Sequence, residues 1–451
     1  MDIDISSLFE GHSDKLKNLI GDILCQCNRH SIDIYLVGGY VRDYMLSVYS
    51  SDIDMVFVGD TSKILDYIDN NFKNYEHSES FKTIKISIDK FEIDLVTARK
   101  EIYKTPGALP SITPSNIIDD LSRRDFTINS MALKLNSPEL TQVIDLNLSK
   151  KDLEDKIIRV HHSLSFIDDP TRIFRAFRYG ARYSFDIEEK TKELIEEEIK
   201  NRKFRNISYI RILNEISKDF KEINYKSILE FYKNYDIYDI MFSDRFPIRY
   251  LLSIHDKFYN SKTYDRPYSG ANLYKTSIKL FKEEELINLL LLTCIHLADK
   301  DKFDSFAENI NKKIKKLARK IADILKVVYT LDSFEVYKNM DKLSIDERHI
   351  LLYFVDDIIF SEILNTEILG KKTKPHVHIS DILSKGIDKK YIGEILEDIH
   401  HYKFERGIIS SNEKTLKELS PESSRSDKDD LNYLNIVIDR RKSYYLKKSG
   451  K

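Results

Sequence analysis

Two aspartates two residues apart, Asp52 and Asp54, lie in an apolar run downstream of the glycine pair Gly38-Gly39, within LVGGYVRDYMLSVYSSDIDMVFV at residues 36–58. On a strand, side chains at i and i+2 project to the same face, so this spacing aims both carboxylates into one site. A glycine turn at a helix start can hold phosphate, and a carboxylate pair beside it can hold Mg²⁺. Each motif alone says less, since two aspartates in a strand–helix–strand turn are often only solvated. Together they describe a site for a nucleoside triphosphate. The strand pattern at Phe91–Ala98 offers a further acid, with Glu92 and Asp94 on one face. Either completes a three-carboxylate cluster, whose mutual repulsion implies bound cations. Two Mg²⁺ ions held there can activate a hydroxyl and neutralise a triphosphate leaving group.

Two later blocks carry compatible chemistry. In DLSRRDFTINSMAL, Asp120–Leu133, the pair Arg123-Arg124 suits phosphate oxygens through the planar guanidinium fork. The same block predicts an amphipathic helix with Ile128, Met131 and Ala132 facing a core. Asp125 and Asn129, four apart on one helix face, then suit a ribose and its 2′-OH. In SFIDDPTRIFRAFRYGARYSF, Ser165–Phe185, Pro170 favours a helix start. Asp169, Arg172 and Arg175 recur at i, i+3 and i+6, and Arg178 and Arg182 extend the stripe. A carboxylate and a guanidinium one turn apart can read a base, the first accepting from an exocyclic amine and the second donating to ring acceptors. The plainer alternative is an i, i+3 salt bridge on a helix packed by aromatic residues.

The elements that must position these residues follow from pattern. Residues 1–30 read as an amphipathic helix. Strands are expected at Ile32–Val37, Ile53–Val58, Lys82–Ile88 and Phe91–Ala98, with helices after the glycine pair and near Lys63–Asn71. Three prolines and a glycine make Thr105–Pro114 a loop. Helical periodicity returns between 120 and 215, broken by a strand at Thr141–Asp145. Beyond 216 helix follows helix, with polar breaks near Asn260–Gly270 and Gly370–Pro375. Ser420–Asp430 reads as a polar linker ahead of a basic end containing Arg440, Arg441, Lys442, Lys447, Lys448 and Lys451.

With 41% hydrophobic and 32% charged residues and few Gly or Pro, the 451-residue chain should be compact and mostly helical, in two or three domains. A formal charge of −2 leaves any nucleic-acid partner to local basic patches. Cys25, Cys27 and Cys294 have no metal spacing and are expected as reduced thiols. The N-terminus lacks the features of a signal peptide, and the longest apolar run, Leu286–Ala298, is too short to span a bilayer. No membrane partner is expected, and the expected location is cytoplasmic.

In this order, GGxVRD, DIDMV, DLVTAR, PGALP, RRDFTINSMA and SFIDDPTRIFRAFRY resemble the bacterial tRNA nucleotidyltransferase and poly(A) polymerase family of DNA polymerase β-like nucleotidyltransferases. The resemblance spans about residues 32–215, with short pieces such as PHVHISDILSKGI and YIGEIL later. It implies an α+β fold: a head of small mixed sheet and flanking helices at 1–147, then an extended all-helical neck at 148–220, body at 221–370 and tail at 371–451. The neck would recognise the base, and the tail would bind tRNA. Gly38, Gly39 and Arg42 fall on the triphosphate-holding turn, and Asp52 and Asp54 on the metal ligands. Asp94 becomes the third acid, because the family places one three residues before the Thr-x-Arg that is here Thr97-Ala98-Arg99. Arg124, Asp125 and Asn129 fall on the ribose motif. Asp169 and Arg172 fall on the protein template for CTP and ATP, with Asp168 where Glu is more frequent, and Arg175 and Arg178 continue that nucleotide-binding stripe.

The implied activity is template-independent addition of C and/or A to the tRNA 3′ end by two-metal in-line transfer, with pyrophosphate released. The loop Lys100–Ser115 is expected to move between C and A addition. Poly(A) synthesis, CC-only or A-only addition, and an inactive RNA-binding relative are the alternatives. His255-Asp256 lacks the flanking His and Asp of a phosphohydrolase site, and His296 is expected in a core or interface.

Overall fold

The computed structural model describes residues 2–59, 61–72, 75–78, 83–137, 140–146, 148–201, 207–242, 248–263, 277–330, 333–355 and parts of 359–413 and 434–439. The expected linker at 420–430 and the basic chain end lie outside these residues. The chain divides into two compact units, Met1–Ile240 and Met241–Lys451.

The first unit is built on one eight-stranded sheet, and its strands follow the alternation and apolar runs of the sequence. Its strands are β1 (Asp2–Asp4), β2 (Asp33–Val37), β3 (Asp52–Val58), β4 (Tyr75–Ser78), β5 (Thr83–Ile88), β6 (Phe91–Thr97), β9 (Met131–Lys134) and β10 (Leu140–Asp145). They lie in the order β1-β10-β9-β2-β3-β6-β5-β4. Only β3 and β6 run parallel, and their register sets Asp52 opposite Glu92 and Asp54 opposite Asp94. Helix α1 (Asp14–Arg29) buries Leu16, Leu19, Ile20, Ile23 and Cys27, the stripe of a 3.6-residue period, and the Ser13 hydroxyl accepts from the Leu16 amide at its start. It packs against β2 and against α3 (Ser62–Asn71).

Between β2 and β3, Gly38 takes φ +69° and begins α2 (Gly39–Met45). The Gly38 amide donates to the Met131 carbonyl across the sheet. A Cβ at this position would collide with the Arg124 guanidinium and come within 3.4 Å of Asp54 Oδ2. Only glycine fits both the backbone and the space.

Three sequence expectations change. The N-terminal helix is confined to Asp14–Arg29, because Asp2–Asp4 adds to the sheet edge beside β10, a partner remote in sequence. The helix expected after Asp125 is one 3₁₀ turn, Thr127–Asn129, followed by strand β9. Met131, Ala132 and Leu133 are all buried, as in a strand covered on both faces, and such a run carries no period to tell it from a helix. The proline-rich segment is not all loop: β7 (Arg99–Ile102) and β8 (Ser111–Pro114) form an antiparallel ribbon closed by residues 103–110.

After α4 (Ile117–Ser122), α5 (Ser149–Glu154) and α6 (Ser165–Asp168), helix α7 (Arg172–Tyr183) carries the arginine stripe. It ends where Ser184 turns left-handed and its amide bonds the Gly180 carbonyl. Later in this unit come α8 (Glu189–Lys200), α9 (Tyr209–Asp219) and α10 (Tyr225–Asn234). Phe177 stacks on Phe231 at 5.1 Å, and Phe174 meets Tyr232 edge-on, fixing α7 against α10.

The second unit is helical among its described residues. Helix Glu283–Ala298 is the expected buried apolar run and packs against Lys300–Phe306 and Lys312–Thr330. His296 is buried against the Phe303 ring edge, 3.9 Å from Asp323, and His255 is buried 3.8 Å from Asp256. Ile248–Thr263 is one helix that runs through Asn260, and the rest of the break expected near Asn260–Gly270 lies outside the described residues. No described helix is long and apolar enough to cross a membrane.

Gly38→Ala should lower stability by about 1–3 kcal/mol, from the strained backbone and the displaced Arg124. Urea unfolding followed by circular dichroism measures this, and an unchanged midpoint would contradict the requirement for glycine.

Candidate active site

A cavity of about 950 Å³ opens in the first unit between the start of β3, the segment 101–129 and helices α7 and α9. Its wall includes Gly39, Arg42, Asp52, Asp54, Arg124, Asp125, Asn129, Asp169, Arg172 and Arg175, so most of the residues singled out by sequence meet in one place. Ligand pockets fall at roughly 300–1,000 Å³, so this one has room for a large polar ligand.

A chain of side chains ties α2 and the turn at 125–129 to α7. Arg42 Nη1 donates to Asn129 Oδ1 at 2.5 Å, and Asn129 Nδ2 donates to Asp125 Oδ1 at 2.9 Å. Asp125 Oδ2 accepts from Arg175 Nε at 2.6 Å and Nη2 at 2.5 Å. Arg42 is buried, paired with Asp43 at 2.8 Å and stacked 4.7 Å from the Tyr183 ring centroid. The Tyr183 hydroxyl donates back to Asp43 at 2.9 Å. Burial alone would raise the Asp125 carboxyl, but the Arg175 guanidinium and the Asn129 amide hold it at about 2. It is therefore ionised at neutral pH, and the helix that carries Arg175 is fixed to the turn at 125–129.

Asp54 is half-buried and Asp52 exposed at the start of β3. Loss of hydration pushes the Asp54 carboxyl up; Arg124 opposes this, while Asp94 and Asp52 add to it. Asp94 lies across the strand pair and is held by Lys85 Nζ of β5 at 3.2 Å. It faces a second cavity, about 240 Å³, which shares Asp54, Arg123 and Arg124 with the first. Among the described residues no three His, Cys, Asp or Glu side chains are gathered to hold a metal ion. The register nonetheless places Asp94 beside Asp54, and neighbouring strands lie about 4.8 Å apart. Neighbouring hard carboxylate oxygens, only partly offset by Lys85 and Arg124, fit a divalent cation. Glu92, the other acid on that face, instead accepts from Ser87 on β5. Arg124 donates to Asp120 at 3.1 Å, and its buried Nε has no hydrogen-bond partner. That unmet donor beside Gly38 suits an anionic oxygen.

At the other end of the cavity, three donors converge on one oxygen of Asp169: the Thr171 amide at 3.0 Å, the Thr171 hydroxyl at 2.6 Å and Arg211 Nη2 at 2.8 Å. These bonds fix the carboxylate through Oδ1. Arg211 Nη1 also donates to the Gly107 carbonyl at 2.6 Å, which ties the 103–110 loop to the same point. Arg172 is buried and donates to Ser165 Oγ at 2.6 Å and to the Arg123 carbonyl at 2.8 Å, so its plane is set before any ligand arrives.

Arg178 stands apart from the expectation. It does not line the cavity, because its Nε donates to Asp219 at 2.5 Å and its Nη2 to Glu215 at 2.7 Å, all deeply buried. Two acids on α9 turn that guanidinium away from the site and make it a packing cation. Sequence reading missed Arg211, Tyr49, Tyr179 and Tyr183, which also line the cavity. With 27 tyrosines in the chain no single one stands out, and the partners of Arg211 lie 42 and 104 residues away.

This geometry accords with the comparisons. The family described as Poly A polymerase head domain matches residues 34–159. The A-adding tRNA nucleotidyltransferase of Aquifex aeolicus is 29% identical over 377 residues, covering 81% of this chain and 44% of the relative. The A-adding tRNA nucleotidyltransferase of Halalkalibacterium halodurans is 38% identical over 190 residues, 42% of this chain and 44% of the relative. The chain thus spans less than half the length of these curated relatives. Among solved structures, a CCA-adding enzyme in its apo form II matches with a TM-score of 0.63 and 25% identity, over 92% of this chain and all of that one. The chain shares its α+β fold, a sheet-based head followed by helices, with that solved structure.

Asp125→Asn should make stability less dependent on acid. The native carboxyl titrates at about 2, below the ordinary carboxylate value of 3.8, so its contribution is present above pH 4 and is lost as pH falls towards 2. The variant should lose about 2 kcal/mol at neutral pH and show a flatter decline below pH 4. Parallel acid profiles for wild type and variant, from urea titrations at each pH, would contradict this.

Proposed function

We propose that this chain is a template-independent RNA nucleotidyltransferase that adds A, C or both to the 3′ end of tRNA. The observation that carries the reading is that Asp52 and Asp54 share one cavity with Asp169 and Arg172. Carboxylates suited to phosphoryl transfer and a carboxylate–guanidinium pair suited to a base thus lie within one site. The names of the relatives, A-adding in both, favour addition of A alone as the second reading.

The RNA 3′-hydroxyl oxygen attacks the α-phosphorus of ATP or CTP, the bond to the bridging oxygen of pyrophosphate breaks, and the hydroxyl proton is lost. Asp52, Asp54 and Asp94 would hold Mg²⁺, which when bound lowers the pKa of the attacking hydroxyl and neutralises the leaving group. Arg124 directs its unmet Nε to the phosphates, and the Gly38-Gly39 turn lets them approach the backbone. Asp125 and Asn129 present the ribose contacts, with Asp125 kept ionised by Arg175. Asp169 Oδ2 accepts from the exocyclic amine of adenine or cytosine, which uracil lacks. Arg172 donates to a ring acceptor from a plane already set by Ser165 and the Arg123 carbonyl. In this scheme residues 1–147 perform the chemistry, 148–220 select the base, and 221–370 and 371–451 hold tRNA by shape and phosphate contacts.

The test uses tRNA transcripts ending before the CCA, after one C and after CC, with CTP, ATP or both, and sequencing of the products. Addition of C and A that stops at CCA supports the full reading, and activity only on the CC-ended transcript supports A addition alone. Long A tails on unrelated RNA would overturn both. Asp54→Ala should abolish incorporation while tRNA binding persists, and retained incorporation would refute its role. Asp169→Ala should cut discrimination against UTP and GTP by about ten- to a hundredfold, the worth of one hydrogen bond to a charged group. Unchanged selectivity would remove Asp169 from base reading.

A further inference from the structure

The cavity has a second ligand surface that neither the phosphate chemistry nor base selection uses. Tyr49 lines it three residues before Asp52 and is 60% exposed, and its neighbour Val48 is 46% exposed. The ring is thus open to a ligand that enters the cavity.

The ring is held in place. The Val48 amide donates to the Asp43 carbonyl at 2.8 Å, and the Ser51 carbonyl accepts from the Glu92 amide at 3.0 Å, so the segment is pinned on both sides of Tyr49. Beside the ring lie Phe91, with centroids 6.1 Å apart, and His12, at 6.5 Å and nearly parallel. His12 packs 4.8 Å from Phe91 and shares a hydrogen bond with buried Tyr40. These residues make an aromatic ledge with a firm backing. The exposed Lys90 places its Nζ over the Tyr49 ring, 4.6 Å from the centroid, a surface cation that a base stacking on the ring would displace towards the RNA backbone.

We propose that Tyr49 is the stacking platform for the 3′-terminal base of the RNA being extended, and that Lys90 contacts a phosphate of that strand. This rests on the RNA-extending function proposed above and assigns its second substrate. The incoming nucleotide is accounted for by Arg124, Asp125, Asp169 and Arg172, which leaves the ledge to the other reactant. Single-stranded RNA ends are gripped by aromatic stacking and backbone charge, and stacking tolerates any base because every base has a π-face. That tolerance suits a strand whose terminal base changes as it grows. A hydrogen-bonding reader at this position would have to be rebuilt at each addition.

The test places 2-aminopurine at the 3′ end of a tRNA transcript and follows its fluorescence on binding the full chain, beside steady-state kinetics. Wild type should quench the probe. Tyr49→Ala should abolish the quench and raise the KM for RNA about tenfold or more, the ordinary effect of losing one base–aromatic stack, with the KM for ATP unchanged. Tyr49→Phe should restore both. Lys90→Ala should reduce the salt dependence of RNA binding by about 0.7 in slope, one phosphate on a single strand. A Tyr49→Ala protein whose RNA KM stays within about twofold, or whose defect falls on ATP alone, overturns the assignment. Wild-type protein that extends no RNA overturns the underlying function instead, and the two failures are told apart by the wild-type assay.

Discussion

In the proposed function, a sheet that carries phosphate chemistry and a helix that carries base chemistry serve one ligand only if they are held face to face. The bonds from Arg42 through Asn129 and Asp125 to Arg175 impose that constraint. Arg42, Asn129 and Asp125 are buried and Arg175 is partly exposed, and each is hydrogen-bonded to the next. Breaking such a chain at one residue strands a charge, which costs more than the bond itself is worth. Aromatic contacts reinforce it, since Arg42 stacks against Tyr179 and Tyr183 of α7, and Phe177 seats that helix on α10. The cavity keeps its shape because its two sides cannot move apart independently.

Within that frame the polar groups fall into two kinds. Some are satisfied and immobile: Arg178 between Asp219 and Glu215, or Arg172 between Ser165 and a backbone carbonyl. Others are left incomplete, as with the unmet Arg124 Nε and the crowded carboxylate of Asp54. The incomplete groups gather where a nucleotide's phosphates and a cation would lie. Satisfied groups surround them and hold them in that strained arrangement, the usual division in a preorganised site. Asp94, turned to Lys85, belongs to neither kind.

Much of this was legible in the sequence because it is local. The strands carrying Asp52, Asp54 and Asp94 announce themselves by alternation and β-branched residues, and the glycine turn by the need for a positive φ. Asp169 and Arg172 are one helical turn apart and need no partner to be noticed. What stayed hidden depends on distance in sequence. The run at 131–133 is buried on both faces, so it lacks the period that separates strand from helix. Arg178 and Arg175 look alike on one stripe, and only the acids of α9 decide that one turns inward and the other to the cavity. Arg211 meets Asp169 and Gly107 through the fold alone.

The claim that one ligand spans the two sides is tested most directly by a crystal structure of the full chain with Mg²⁺ and a non-hydrolysable ATP analogue. The account predicts the triphosphate beside Asp54 and Arg124, and the adenine amine within about 3 Å of Asp169 Oδ2. A nucleotide whose base lies away from α7, with Asp169 and Arg172 still bound only to protein, would contradict it.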